Sequence, residues 1–168
     1  MGVAAVVHLL CGPTGSGKTT FAKQLARQGA VHLCLDEWMI RLHGRALSRD
    51  AYQQKLAACF ELLLDVAAAI ARSGTAVVLD AGFWHKRRRV SARERLAALG
   101  LNSVLHYVEL ADAERWRRLE RRNRALPDFE YEVSREMFEE FSRCFEPPND
   151  EESWVRVAES DRESAFRS

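Results

Sequence analysis

Long apolar runs are missing from this 168-residue chain. The opening Met1 to Leu10 is apolar, but a bilayer-spanning helix takes about 20 such residues. The same stretch lacks the basic leader and small-residue cleavage site of an export signal, so it predicts a buried strand in a cytoplasmic protein with no membrane partner. Cysteine is scarce as well. Cys11, Cys34, Cys59 and Cys144 lie far apart in apolar surroundings, with no CxxC or Cys/His spacing, which excludes a disulfide framework and a zinc site and predicts reduced core residues. Net charge is almost absent at +1, so neither a nucleic acid nor a membrane surface would be drawn to the molecule as a whole. Repeats, low-complexity tracts and linkers are lacking too. What remains is a 47% apolar chain, enough for one core, and the expectation is a single domain over residues 1–168.

The charge is unevenly spread. Residues 85–124 are rich in arginine and the stretch from Asp128 to Glu163 is acidic, so a basic zone exists for an anion.

The apolar run Val3 to Cys11 ends at a glycine-rich turn, and Lys18 to Arg27 then shows helical spacing through Phe21, Leu25 and Ala26, which predicts strand, loop and helix. A second run, Ala30 to Leu35, ends at Asp36 and leads into a less regular helical segment closed near Gly44. Ser48 suits the cap of a long helix reaching Arg72, with Gly74 just beyond its end. Thr75 to Leu79 predicts a third strand ending at Asp80. Arg87 to Leu99 reads as an amphipathic helix with Val90, Leu96 and Leu99 on its apolar stripe, and Ser103 to Leu110 as a fourth strand. Asp112 can cap a helix running to about Arg124, Glu132 to Cys144 predicts another, and Trp154 to Val157 a weak fifth strand. Continuous apolar strands alternating with helices predict an α/β fold, a parallel sheet covered on both faces.

The chemistry is concentrated at the first turn. Gly12-Pro13-Thr14-Gly15-Ser16-Gly17-Lys18-Thr19 fits the GxxxxGK[ST] phosphate-loop pattern (Walker A) and stands between a strand and a helix, where its mechanism requires it. The glycines let backbone N–H groups turn inward around phosphate oxygens, and the helix N-terminus adds its positive end. Lys18 reaches the β and γ phosphates, and the Thr19 hydroxyl can bind Mg²⁺. Asp36 and Asp80 follow the second and third strands, so a parallel sheet brings both carboxylates out at the edge of the phosphate loop. One can accept the proton of an acceptor hydroxyl while the other holds Mg²⁺ or its water shell; the residues alone leave the assignment open.

Gly12 to Thr20, Leu35-Asp36-Glu37-Trp38, Leu79-Asp80-Ala81-Gly82 and Arg122-Asn123-Arg124 resemble the P-loop kinases grouped with zeta toxins, chloramphenicol phosphotransferase and 5′-hydroxyl polynucleotide kinases. The resemblance implies a three-layer P-loop NTPase fold, a five-stranded sheet in the order 2-3-1-4-5, and ATP with Mg²⁺ as cofactors. It makes Asp36 the general base and Arg41 an acceptor contact. It places Arg118, Arg122 and Arg124 on a helical lid, about residues 112–140, that closes over the triphosphate. Asp80-Ala81-Gly82-Phe83 departs from the Asp-x-Thr-Asn of polynucleotide kinases, which argues against a nucleic-acid acceptor.

Physically, Arg115, Arg118 and Arg122 share one helical stripe and would project together toward an anion, while Trp116 and Leu119 face the core. Lys86-Arg87-Arg88-Arg89 reads as a solvated helix start, and Phe83 and Trp84, with His85 beside them, either wall an acceptor pocket or pack as aromatics under a loop. The reading is therefore an ATP-dependent kinase acting on a hydroxyl of a small-molecule or nucleotide-like acceptor. The alternatives are a nucleotide-driven ATPase or switch, a nucleotide-binding regulatory module, and kinases of a nucleotide sugar or a polynucleotide 5′ end.

Overall fold

The protein is described by a computed structural model covering residues 5–158. Val3 and Ala4 of the first apolar run and residues 159–163 of the acidic stretch lie outside the described residues. Five strands form one parallel sheet: β1 (Val7–Cys11), β2 (Val31–Cys34), β3 (Val77–Asp80), β4 (Ser103–Tyr107) and β5 (Trp154–Arg156), in the order β2-β3-β1-β4-β5. Six helices connect them: α1 (Lys18–Arg27), α2 (Leu35–His43), α3 (Arg49–Arg72), α4 (Lys86–Ala98), α5 (Asp112–Arg124) and α6 (Arg135–Cys144). This is the expected P-loop NTPase architecture.

The pleat sorts the core. Val7, Leu9 and Cys11 of β1 point one way into a cluster with Leu63, Ala67 and Ala71 of α3 and Leu96 of α4, while Leu10 points the other way onto Phe21 and Ala22 of α1. Each fully buried Leu or Phe contributes about 1.5–3 kcal/mol, and a one-residue slip of β1 would exchange its faces, so the register is firmly set. That register matters at the site. Cys34 pairs with Asp80 across β2 and β3, and the chain leaves both strands at the same edge. Ser48 caps α3 as expected, its Oγ accepting from the Ala51 N–H at 3.3 Å.

Several local expectations fail. Asp36 lies in the first turn of α2 and does not end β2. Asp112 is the first residue of α5, whose cap position is Ala111, and the carboxylate pairs with Arg115 at 2.7 Å. Helix α6 starts at Arg135, three residues later than expected, because Ser134 supplies the cap, accepting from Met137 N–H at 3.2 Å. Of the stripe assigned to α4 only Leu96 is buried as expected. Val90 and Leu99 are exposed and the buried face is Arg89, Ala92 and Leu96, because a buried salt bridge, not an aliphatic residue, anchors that face. The cysteines are all free, but Cys144 is exposed and Cys34 only partly buried. No helix among the described residues is long and apolar enough to cross a membrane.

Candidate active site

The phosphate loop joins β1 to α1 and is held in shape by close backbone approach. A Cβ on Gly12 would come within 2.3 Å of the Val108 carbonyl, and one on Gly15 (φ +80°) within 2.9 Å of the Arg115 carbonyl. Only glycine fits such positions. Lys18 Nζ donates to the carbonyls of Gly12 at 2.8 Å and Pro13 at 3.0 Å, so the ammonium lies inside the turn. Burial pulls its pKa below the ordinary lysine value, opposed by the nearby carboxylates of Asp80 and Asp36. The loop leads directly into the N-terminus of α1, whose free N–H groups and dipole favour an anion there.

Thr19, in the first turn of α1, donates its hydroxyl to Asp80 Oδ2 at 2.6 Å. Asp80 is buried, and burial alone would raise its pKa. That effect is outweighed by His32, the Lys18 ammonium and the Thr19 hydroxyl, which hold the carboxyl below its usual value. His32 Nε2 stands 3.8 Å from Oδ2, outside hydrogen-bonding distance. Two hard oxygen donors, one of them kept ionised, suit a Mg²⁺ ion or its water shell. A second donor set, His32, Cys34 and Asp80, has ligand atoms within 4.8 Å of one another. Its nitrogen and sulfur favour a softer ion, but burial pushes the Cys34 thiol far up, and a protonated thiol is a poor ligand.

Asp36 stands opposite in character. Its side chain is open to water at the mouth of the site, yet desolvation by the surrounding protein and then the charge of Asp80 raise its pKa to about 6, against the pull of Lys18 and Arg122. The water at the mouth moderates that desolvation. Around Asp36 stand Tyr52 of α3 and Tyr131, their rings edge to face at 5.9 Å, with both phenols sensing the Asp36 charge.

The arginines divide. Arg115 is buried, against the expectation that it projects toward an anion. Its Nη1 donates to the Thr14 carbonyl at 2.9 Å and its Nη2 to Asp112 and to Ser142 at 3.1 Å, so it fastens the phosphate loop to α5 and α6. Leu119 is buried as expected, but Trp116 is only half-buried and packs on Phe138. Arg118 pairs with Glu114 at 3.2 Å, and Arg122 pairs with Glu130 at 2.5 Å and donates to the Tyr131 carbonyl at 2.9 Å. Arg124 is exposed. Arg41 pairs with Glu37 at 2.8 Å and lies 3.9 Å over the Phe129 ring. A cleft of about 660 Å³ between α5 and α6, walled by Trp116, Phe138 and Arg135, adjoins the loop through Arg115.

Residues the sequence did not single out complete the arrangement. Arg89, counted there as part of a solvated helix start, is fully buried. It grips Glu152 with two 2.7 Å bonds and donates to the carbonyls of Phe83, Trp84 and Glu146 at 3.1, 3.1 and 2.8 Å. The segment after β3 is thereby tied to the end of the chain. Phe83 is consequently buried against Phe60 and cannot wall a pocket, Trp84 packs on Phe141, and His85 pairs with Glu146 at the surface. Arg45 donates to the carbonyls of Pro127, Asp128 and Glu130, holding the 127–130 turn against the segment that follows α2. No spacing rule announces such long-range pairs. The one available signal was Glu152, an acid in the breaker-rich segment that follows Pro147-Pro148.

Solved structures with the same architecture include Mycobacterium tuberculosis APS kinase CysC in complex with AMPPNP and APS. It is 20% identical at TM-score 0.65, with 97% of this chain and 94% of that one covered. Chaetomium thermophilum Kti12 in complex with ADP-AlF3 is 19% identical at TM-score 0.67, covering 95% of each chain. A gluconokinase from Sinorhizobium meliloti is 16% identical at TM-score 0.60, covering 99% and 93%. At these identities the likeness is one of fold. A search of curated proteins finds no match. Residues 7–148 match the AAA domain family, and the chain belongs to that family.

Proposed function

We propose that this protein is an ATP-dependent kinase that moves the γ-phosphate of ATP to a hydroxyl of a small-molecule or nucleotide-like acceptor. The observation that carries the reading is a division of two carboxylates. Asp80 is held ionised against Thr19 beside the phosphate loop, whereas Asp36 is raised to about 6 at the open side, facing Tyr52 and Tyr131. A nucleotide-binding module needs the first arrangement and has no use for the second.

Lys18, Gly12 to Gly17 and Thr20 bind the phosphates, and Thr19 with Asp80 would hold Mg²⁺, which would supply charge neutralisation for the transfer. Asp36 takes the proton of the acceptor hydroxyl as its oxygen bonds to the γ phosphorus and the bond from phosphorus to the ADP oxygen breaks. Arg118 and Arg122 exchange Glu114 and Glu130 for the transferring phosphoryl group as the 112–140 segment closes, with Arg124 beside them, and Arg41 contacts the acceptor. The protein acts in this reading on the fold its relatives share, and the related APS kinase and gluconokinase are kinases by name.

The test incubates the protein with γ-labelled ATP, Mg²⁺ and a library of hydroxyl compounds. Label in an organic product is expected. Label released only as free phosphate across the library would contradict transfer and favour an ATPase.

A further inference from the structure

Arg88 and Arg89 are neighbours at the start of α4 with opposite fates. Arg89 spends its guanidinium on Glu152 and three carbonyls. Arg88 is half-buried, lies 4.6 Å over the ring of Phe60, and its guanidinium has no hydrogen bond or ion pair, alone in this among the described arginines that are shielded from solvent. Burial lowers its pKa, and only Tyr52 and Glu61 oppose that from a distance. A guanidinium stripped of water without an anionic partner is costly to maintain.

A second unpartnered group meets the same helix α3 through Tyr52. The Tyr131 hydroxyl is buried with no hydrogen bond. Its ring meets Tyr52 edge to face at 5.9 Å, and the Tyr52 phenol senses both the Asp36 carboxylate and Arg88. Tyr52 and Phe60 are carried by α3, eight residues apart and so on one face of that helix, and this face is what Arg88 covers. The charged groups near Asp36 are Asp80, Lys18, Glu130 and Arg122. Lys18 and Arg122 are already hydrogen-bonded within the protein. Among the described residues, a ligand bound at the tyrosines therefore finds a cation without an ion pair, Arg88, and a hydroxyl donor without a partner, Tyr131.

We propose that Arg88 and the Tyr131 hydroxyl bind an oxyanion, a phosphate or a carboxylate, carried by the acceptor whose hydroxyl faces Asp36, so that the acceptor is an anionic alcohol. The inference rests on the phosphotransfer reading above. The planar guanidinium fork matches two oxygens of either group. A neutral acceptor leaves both groups unpaired, and a site built to hydrogen-bond its substrate rejects a ligand that lacks the partner.

The test uses three pairs of probes: ribose 5-phosphate against ribose, adenosine 5′-monophosphate against adenosine, and gluconate against sorbitol. Each is titrated by calorimetry into the full chain saturated with Mg²⁺ and a non-hydrolysable ATP analogue, and each is then offered with γ-labelled ATP. At least one anionic member should bind about 10- to 100-fold more tightly than its neutral partner. The phosphate and carboxylate arms show which oxyanion the site takes. Arg88→Met should abolish that preference while leaving the affinity for neutral probes unchanged and without lowering the melting temperature, since the Arg88 guanidinium holds no hydrogen bond and its burial is costly. Arg88→Lys should restore part of it, and Tyr131→Phe should reduce it several-fold. If no anionic member is preferred, or if the preference survives in Arg88→Met, the anion site is wrong. Transfer of label to neutral and anionic members alike, indifferent to Arg88→Met, overturns the anion site and leaves phosphotransfer standing. A binding preference with label only in free phosphate overturns phosphotransfer and leaves the anion site.

Discussion

Asp36 and Asp80 emerge from adjacent strands at one edge of the sheet, yet their surroundings drive them in opposite directions. Asp80 sits on β3 beneath α1, where the Thr19 hydroxyl, His32 and the Lys18 ammonium keep a buried carboxylate charged. Asp36 sits one strand over, in the first turn of α2, where desolvation and the like charge of Asp80 make the charged form harder to hold. The lesson is that a charge fixed early can tune a second one. Each proton that Asp80 does not carry makes Asp36 a better base near neutral pH.

Removing Asp36 attacks the comparison at its reactive end and should have the largest effect. Asp36→Asn is nearly isosteric, so single-turnover transfer should fall about 10²- to 10⁴-fold with ATP affinity nearly unchanged by calorimetry. A variant that transfers at the wild-type rate removes Asp36 from the chemistry. The Asp80 side depends on the loop after β3, which Arg89 fastens to Glu152. Arg89→Ala leaves Glu152 as an uncompensated buried charge and should cost about 3–5 kcal/mol. A thermal melt within a degree or two of wild type would show that the pair does not hold this loop. Asp80→Asn should be milder and different in kind. It should raise the Mg²⁺ requirement for transfer by about 10- to 100-fold, with activity largely recovered at high Mg²⁺. A defect indifferent to Mg²⁺ would place Asp80 outside the metal's shell.

The phosphate loop and the edge that both aspartates share were legible because each follows from local rules, a glycine pattern between strand and helix and apolar runs of strand length, whereas the sheet order was legible only through the resemblance to P-loop kinases. Sequence did less well with arginine. Lys86 to Arg89 looks like one solvated run, but helical geometry turns Arg89 inward to Glu152, sixty-three positions away, and leaves Arg88 over Phe60. Arg115 sits on the same stripe as Arg118 and Arg122, and only the packing of α5 on the loop separates it from them by burying it against Thr14. The pairing of Tyr52 with Tyr131 was unreadable for the same reason, since the partners come from α3 and from the turn before α6. What periodicity shows is a face; which partner covers that face is decided by tertiary structure.

The pH dependence of kcat/KM for phosphoryl transfer, measured on the wild-type protein at subsaturating Mg-ATP so that it reports the free enzyme, tests the division of the two aspartates most directly. Asp36 acts as a base only when ionised, and its pKa in the folded protein is raised to about 6, so the rate should rise with pH up to that point and level off above it. Below the inflection it should fall about tenfold per pH unit. Asp80, whose pKa is lowered, stays ionised through this window and contributes no step. The same inflection should be missing from Asp36→Asn. A wild-type profile that is flat from pH 5 to 8, or an inflection near 6 that persists in Asp36→Asn, would contradict the assignment of the base.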